Sequence, residues 1–98
     1  MYEFTTEEKV TNAAGGSQSK PMGRADLLPP KALMEIAKVL EQGAIKYGEY
    51  NWKHIEVTDH INHAMIHILA HNAGDTAEEH LTHATTRLLF ALELIAER

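Results

Sequence analysis

Cysteine is absent from all 98 residues, which excludes a disulfide framework and any thiolate metal site. Basic charge is scarce: nine Lys and Arg stand against fourteen Asp and Glu, a net charge of −5 with neutral histidines. That balance argues against a protein that coats a nucleic-acid polymer or an anionic membrane, and an acidic chain that handles phosphates needs a cation. No apolar run approaches the roughly 20 residues of a membrane-spanning helix. The acidic opening MYEFTTEEKV lacks the basic and apolar regions of a secretory signal. A cytoplasmic protein without a membrane partner is therefore expected. A chain of this length forms a single domain with a thin core, so a homo-oligomer is the default expectation.

What is present points to helices. Residues 1–20 mix acidic and small residues and run into NAAGGSQSKP, a composition that predicts a flexible or extended arm. In GRADLLPP, Leu28 precedes Pro29 and Pro29 precedes Pro30; a residue before proline avoids the α region, so an extended piece should lead into a helix at about Pro30. Leu33, Ile36, Ala37, Leu40 and Ala44 recur at helical spacing and carry that helix to about residue 47, where Gly48 stops it. KYGEYNWKHIEV forms a loop, and Thr58 or Asp59 can cap a second helix over about 59–72 that ends at Asn72-Ala73-Gly74. Asp75 or Thr76 can cap a third, with Leu81, Ala84, Leu88, Leu89, Leu92 and Ile95 on one side. No segment reads convincingly as a strand. The expected fold is all-α: a small bundle of three main helices over 21–98, with an irregular arm over 1–20, completed by oligomerisation.

Four of the seven histidines fall in DHINHAMIHILAH. At 100° per residue, His60, His63, His67 and His71 lie within about 80° of one another, on one flank of the face formed by Ile61, Met65 and Ile68. Such a stripe can bind a ligand or simply border a core. The third helix repeats it: Glu79 and His83, four residues apart, can share one ligand, His80 lies beside the apolar face, and Arg87 continues the line. Facing stripes can enclose a site, because bundles hold metals and cofactors on inward-projecting side chains. Glu35, followed at helical spacing by Gln42 and Lys46, could add a carboxylate. HExxH is absent, and so is the dipeptide His-Asp, which disfavours a zinc protease and a His-Asp hydrolase. A carboxylate cluster for Mg²⁺ or Mn²⁺, with room for phosphate oxygens, better suits Glu35, Asp75, Glu78 and Glu79. The alternative for Glu78 and Glu79 is that they favour the positive end of the third helix.

The central loop has chemistry of its own. Trp52 or Tyr47 can stack on a purine, Asn51 can read a base edge and Lys46 can meet a phosphate. Trp52 could equally be a packing anchor. Lys20 and Arg24 could close over phosphates or remain solvated.

DLLPPKALMEIAKVLEQGAIKYGEYNW (26–52), HILAHNAGD (67–75) and HLTHATTRLLFALEL (80–94) resemble the phage-associated dATP/dGTP diphosphohydrolase N-terminal family, whose members are similar to MazG-like all-α nucleoside triphosphate pyrophosphohydrolases. The resemblance covers about residues 18–95. It implies hydrolysis of a purine deoxynucleoside triphosphate, dGTP or dATP, to the monophosphate and pyrophosphate with Mg²⁺ or Mn²⁺, in the host cytoplasm if the chain is phage-encoded. By position it implies that Glu35, His67, Asp75, His80 and His83 match recurring polar positions of the family's motifs, and that Lys46, Tyr47, Asn51 and Trp52 match its central loop. Glu35, His67, Asp75, Glu79 and His83 are thus the expected catalytic group, Glu35, Asp75, Glu78 and Glu79 the expected metal ligands, and Lys46, Tyr47, Asn51, Trp52, His80, Arg87 and Arg24 the expected substrate contacts. MazG-like enzymes gather carboxylates as ExxE on one helix and ExxD on another; neither pattern is expected on the predicted helices here, and the second offers only Asp59 at its start. That departure keeps a second function in view, a protein that binds or sequesters a nucleotide, such as a signalling nucleotide, without hydrolysing it.

Overall fold

The computed structural model describes residues 4–98. An antiparallel hairpin of β1 (Thr5–Thr11) and β2 (Ser17–Pro21) precedes α1 (Pro30–Tyr47), α2 (Val57–Asn72) and α3 (His80–Ala96). Short 3-10 turns occupy Ala25–Leu27 and Asn51–His54. Among the described residues no helix is long and apolar enough to cross a membrane.

The hairpin departs from the expected strandless arm, of which residues 1–3 lie outside the described residues. Its organiser is Asn12, whose Oδ1 accepts from the backbone N–H of Ala14 at 3.0 Å and of Gly16 at 2.9 Å. Gly15 supplies the left-handed φ of 90° that the turn requires. The Gly- and Ser-rich composition that suggests disorder is therefore turn chemistry. Val10 and Thr6 are half-buried and the other strand residues exposed, so no alternation betrays the strands. The hairpin has at most a marginal contact with the helices, and the molecule measures 54 × 28 × 24 Å.

The helices begin and end for local reasons. Pro30 sits in the first turn of α1, where a missing N–H costs nothing, and Gly48, at φ 98°, closes it by donating to the Ala44 carbonyl at 2.9 Å. Neither expected side-chain cap forms: α2 starts at Val57 after Glu56, and α3 starts at His80 after Glu79, both without a side-chain cap bond. Asp75 is drawn elsewhere, to His80.

Helices α2 and α3 pair closely and antiparallel. His67 meets His80 and His60 meets Arg87, so seven residues back along α2 (67 − 60) correspond to seven forward along α3 (87 − 80). Ala64, Ala84 and Ala91 are buried between and around these positions, and their small side chains let the backbones approach. Helix α1 packs chiefly on α3 and buries only Ile36. Ile36, Ala64, Ala84 and Ala91 are the only fully buried apolar side chains among the described residues, while Leu81, Leu88, Leu92 and Ile95 of α3 and Met65 and Leu69 of α2 are exposed. Every buried side-chain polar atom among the described residues has a partner.

Candidate functional site

A groove of about 1160 Å³ opens between the C-terminal half of α1, the loop 48–53 and the α2–α3 pair. Its volume suits a nucleotide-sized ligand. Two polar rungs cross from α2 to α3 along its floor, two helical turns and so about 10.5 Å apart.

The lower rung is closed. His60 is fully buried, its Nε2 lies 2.9 Å from the Trp52 carbonyl oxygen, and its Nδ1 lies 3.1 Å from a guanidinium nitrogen of Arg87. A carbonyl only accepts and a guanidinium only donates, which selects the tautomer with the proton on Nε2. Trp52 stacks on Phe90 with ring centroids 4.5 Å apart and 4° between planes, and Phe90 meets the His60 ring edge-on. These contacts pin the turn Asn51–His54 onto α3, helped by an ion pair of Lys53 with Glu97 at 3.6 Å. Arg87 lines the groove and forms no ion pair among the described residues.

The upper rung is open. Asp75 Oδ2 lies 2.6 Å from His80 Nε2, and His80 Nδ1 lies 2.9 Å from His67 Nδ1. The carboxylate accepts the His80 Nε2 proton, so His80 Nδ1 presents a lone pair and His67 supplies the single proton between the two rings. Glu78 Oε1 stands 3.5 Å from His67 Nδ1 and 3.8 Å from His80 Nδ1. His83 stacks on His67 with centroids 5.2 Å apart. Burial lowers the His67 pKa below its ordinary value; Glu78 opposes this, and His83, His80 and His63 add to it. The hydrogen bond from His80, seconded by the Ala77 N–H, holds the Asp75 carboxyl below the usual range. His67, Glu78 and His80 form a trio able to hold a metal ion.

The structure gathers some of the expected residues and leaves others apart. Lys46, Tyr47, Asn51, Trp52, His67, Glu78, His83 and Arg87 all line the groove, and Asp75 and His80 join it through the upper rung. Glu79 is exposed just before α3 and does not line it. Glu35 is exposed one turn or more nearer the start of α1, where Lys38 donates to it at 3.0 Å, while Gln42 and Lys46 of the same flank do reach the groove. Arg24 forms a two-bond fork with Asp26 at 2.8 and 2.7 Å outside the groove, a pairing that lowers the Asp26 pKa and raises that of Arg24. His63 and His71 are exposed, so the stripe divides between floor and surface. Glu56 and Asp59, which stand in ExxD spacing across the start of α2, are likewise exposed and outside the groove.

Tyr50 is the groove residue that sequence reasoning passed over. It is an exposed aromatic residue lining the cavity, and the only described non-glycine with positive φ, at 61°. A bulky side chain held in the left-handed region is strained by about 1–2 kcal/mol, a cost that clusters at functional sites. Its signal is its place in GEYNW, between a glycine and the pinned tryptophan.

A family model described as dATP/dGTP diphosphohydrolase, N-terminal, matches residues 12–98, from the turn of the hairpin to the end of α3. No curated protein and no solved structure matches the chain. Since the match spans all three helices and both rungs, the chain belongs to the dATP/dGTP diphosphohydrolase N-terminal family.

Proposed function

We propose that the groove is the nucleotide site of a cation-assisted pyrophosphohydrolase acting on dATP or dGTP. Water attacks the α-phosphorus, the bond from that phosphorus to the oxygen bridging to the β-phosphate breaks, and deoxynucleoside monophosphate, pyrophosphate and a proton result. The observation that carries this reading is the juxtaposition of Arg87, a groove cation without an acidic partner among the described residues, with a ligand trio of which His67 and Glu78 line the same groove and His80 is buried beside them, in a chain of this family.

Each group has a task that its chemistry suits. Arg87, oriented by His60, offers its remaining donors to phosphate oxygens. Lys46, which lies 5.1 Å from the Tyr47 ring centroid, forms no ion pair among the described residues and can meet the triphosphate tail. Tyr47 and Tyr50 are 63% and 65% exposed, and although Lys46 and Lys53 each stand over one of these rings, a face of each is left for a purine; Trp52 has given one face to Phe90. Asn51 stands beside them for the base edge. A divalent ion, Mg²⁺ or Mn²⁺, would screen the phosphates and lower the pKa of a bound water; Glu78 would be a carboxylate that holds it, and Asp75 would support it through His80. His83, stacked on His67, would serve as the base that takes a proton from the attacking water.

The exposed apolar residues of α2 and α3 support a homo-oligomer in which a second copy covers them. A substrate of this kind places the protein in a cytoplasm. The test is pyrophosphate release by the chain from each of four dNTPs and four NTPs, with Mg²⁺, with Mn²⁺ and with chelator. Cation-dependent release from dATP or dGTP is expected. Saturable binding of an intact nucleotide would instead favour sequestration.

A further inference from the structure

The upper rung has a property that a nucleotide site does not require. Three donor atoms on two helices and their connection converge: the two Nδ1 atoms are 2.9 Å apart, and Glu78 Oε1 is 3.5 and 3.8 Å from them. We propose that His67 Nδ1, His80 Nδ1 and Glu78 Oε1 are the protein ligands of one first-row transition-metal ion, and that this fold selects such an ion over Mg²⁺. The inference deepens the reading of the groove as a cation-assisted site by naming the class of ion; it rests on that reading for the ion's role and on the geometry and chemistry of the donors for its class.

Three observations converge on it. Two imidazole nitrogens with one carboxylate suit Mn²⁺, Fe²⁺, Co²⁺, Ni²⁺ or Zn²⁺, whereas Mg²⁺ takes oxygen ligands and dehydrates reluctantly. The Asp75–His80 bond of 2.6 Å is the support that metal-bound imidazoles receive: a carboxylate takes the distal N–H, fixes the tautomer and aims the lone pair. That support is built in here, since His80 is buried with its Nδ1 turned to the cluster.

The lower rung is the internal control. His60 has the same residue type and is more deeply buried, but the Trp52 carbonyl and Arg87 consume both of its nitrogens. At the upper rung only one proton separates two lone pairs. When the ion binds, the His67 proton moves from Nδ1 to Nε2, so both rings stay neutral and no charge is buried without a partner. Glu78 is 53% exposed and free to swing the short remaining distance.

The test is metal binding by the chain without nucleotide. Titration with Co²⁺, followed by visible absorption and calorimetry, should show one ion per chain that a hundredfold excess of Mg²⁺ does not displace. His67→Ala and Glu78→Gln should each weaken binding at least tenfold, and Asp75→Asn about tenfold, with unchanged circular dichroism; His63→Ala, on the exposed flank, should leave it unaltered. Glu78 is on the surface, so its variant remains decisive even if His67→Ala unfolds. Absence of Co²⁺ binding, displacement by equimolar Mg²⁺, or full affinity in Glu78→Gln would overturn the proposal. A chain that binds Co²⁺ but hydrolyses nothing would defeat only the pyrophosphohydrolase reading, and one that hydrolyses dGTP with Mg²⁺ yet ignores Co²⁺ would defeat only this one.

Discussion

The two rungs that join α2 to α3 are built from histidines at equivalent points of one antiparallel pair, yet their nitrogens meet different partners. At the lower rung, His60 is held by a carbonyl and a guanidinium, so its hydrogen-bonding capacity is spent inside the protein. At the upper rung, His80 is held on one side by Asp75 and on the other meets only His67, with Glu78 waiting nearby. The difference shows that a histidine's role is decided by what its second nitrogen is left to do. The lower rung fastens a loop and aims an arginine; the upper rung is open to a ligand.

Replacing a member of the closed rung should cost most. His60→Ala removes a buried side chain and leaves the Trp52 carbonyl without its donor, so urea denaturation should show a loss of roughly 3 kcal/mol; a loss under about 0.5 kcal/mol would mean that the rung is not structural. Trp52→Ala, which breaks the Phe90 stack, should follow at about 2–3 kcal/mol, and a variant of normal stability with a raised KM would return Trp52 to the base-binding role. Breaking the open rung should show in kinetics instead. His67→Ala should shift the urea midpoint little while lowering kcat/KM at least a hundredfold, and the reverse pattern would erase the distinction between the rungs. Tyr50→Gly should cost no stability, because the strain at φ 61° is relieved, although glycine elsewhere costs about 1 kcal/mol; KM for the nucleotide should rise several-fold if the ring meets the base. The smallest effect is expected at Glu35→Gln, an exposed site outside the groove, with turnover changed less than twofold. Abolished turnover there would mean that Glu35 enters the site of another subunit.

Much of this contrast was legible only in part. The helices follow from three- and four-residue apolar spacing and from Pro30, Gly48 and Gly74, because those signals act within a few residues. The hairpin was not legible, since strands exposed on both sides carry no alternation and their turn depends on one asparagine side chain. The stripe of histidines could be seen, but its division could not. Which histidine meets an arginine and which meets another histidine depends on the register of α2 against α3, set by the connection 73–79 and the packing of Ala64 and Ala84. An Asp shortly before a helix normally satisfies backbone N–H groups, which makes Asp75 a cap candidate; here the nearer histidine ring outcompetes them, leaving only a 3.3 Å bond from Ala77. Glu35 shares a flank with Lys46, but α1 packs chiefly on α3, and only the second half of that flank borders the groove.

The most direct single test is pyrophosphate release from dATP and dGTP, with a divalent cation present, by the wild-type chain and by His67→Ala at a temperature where both are folded. Release by the wild type and a rate at least a hundredfold lower for the variant are predicted; equal rates, or no release by the wild type, would contradict the assignment of the open rung to catalysis.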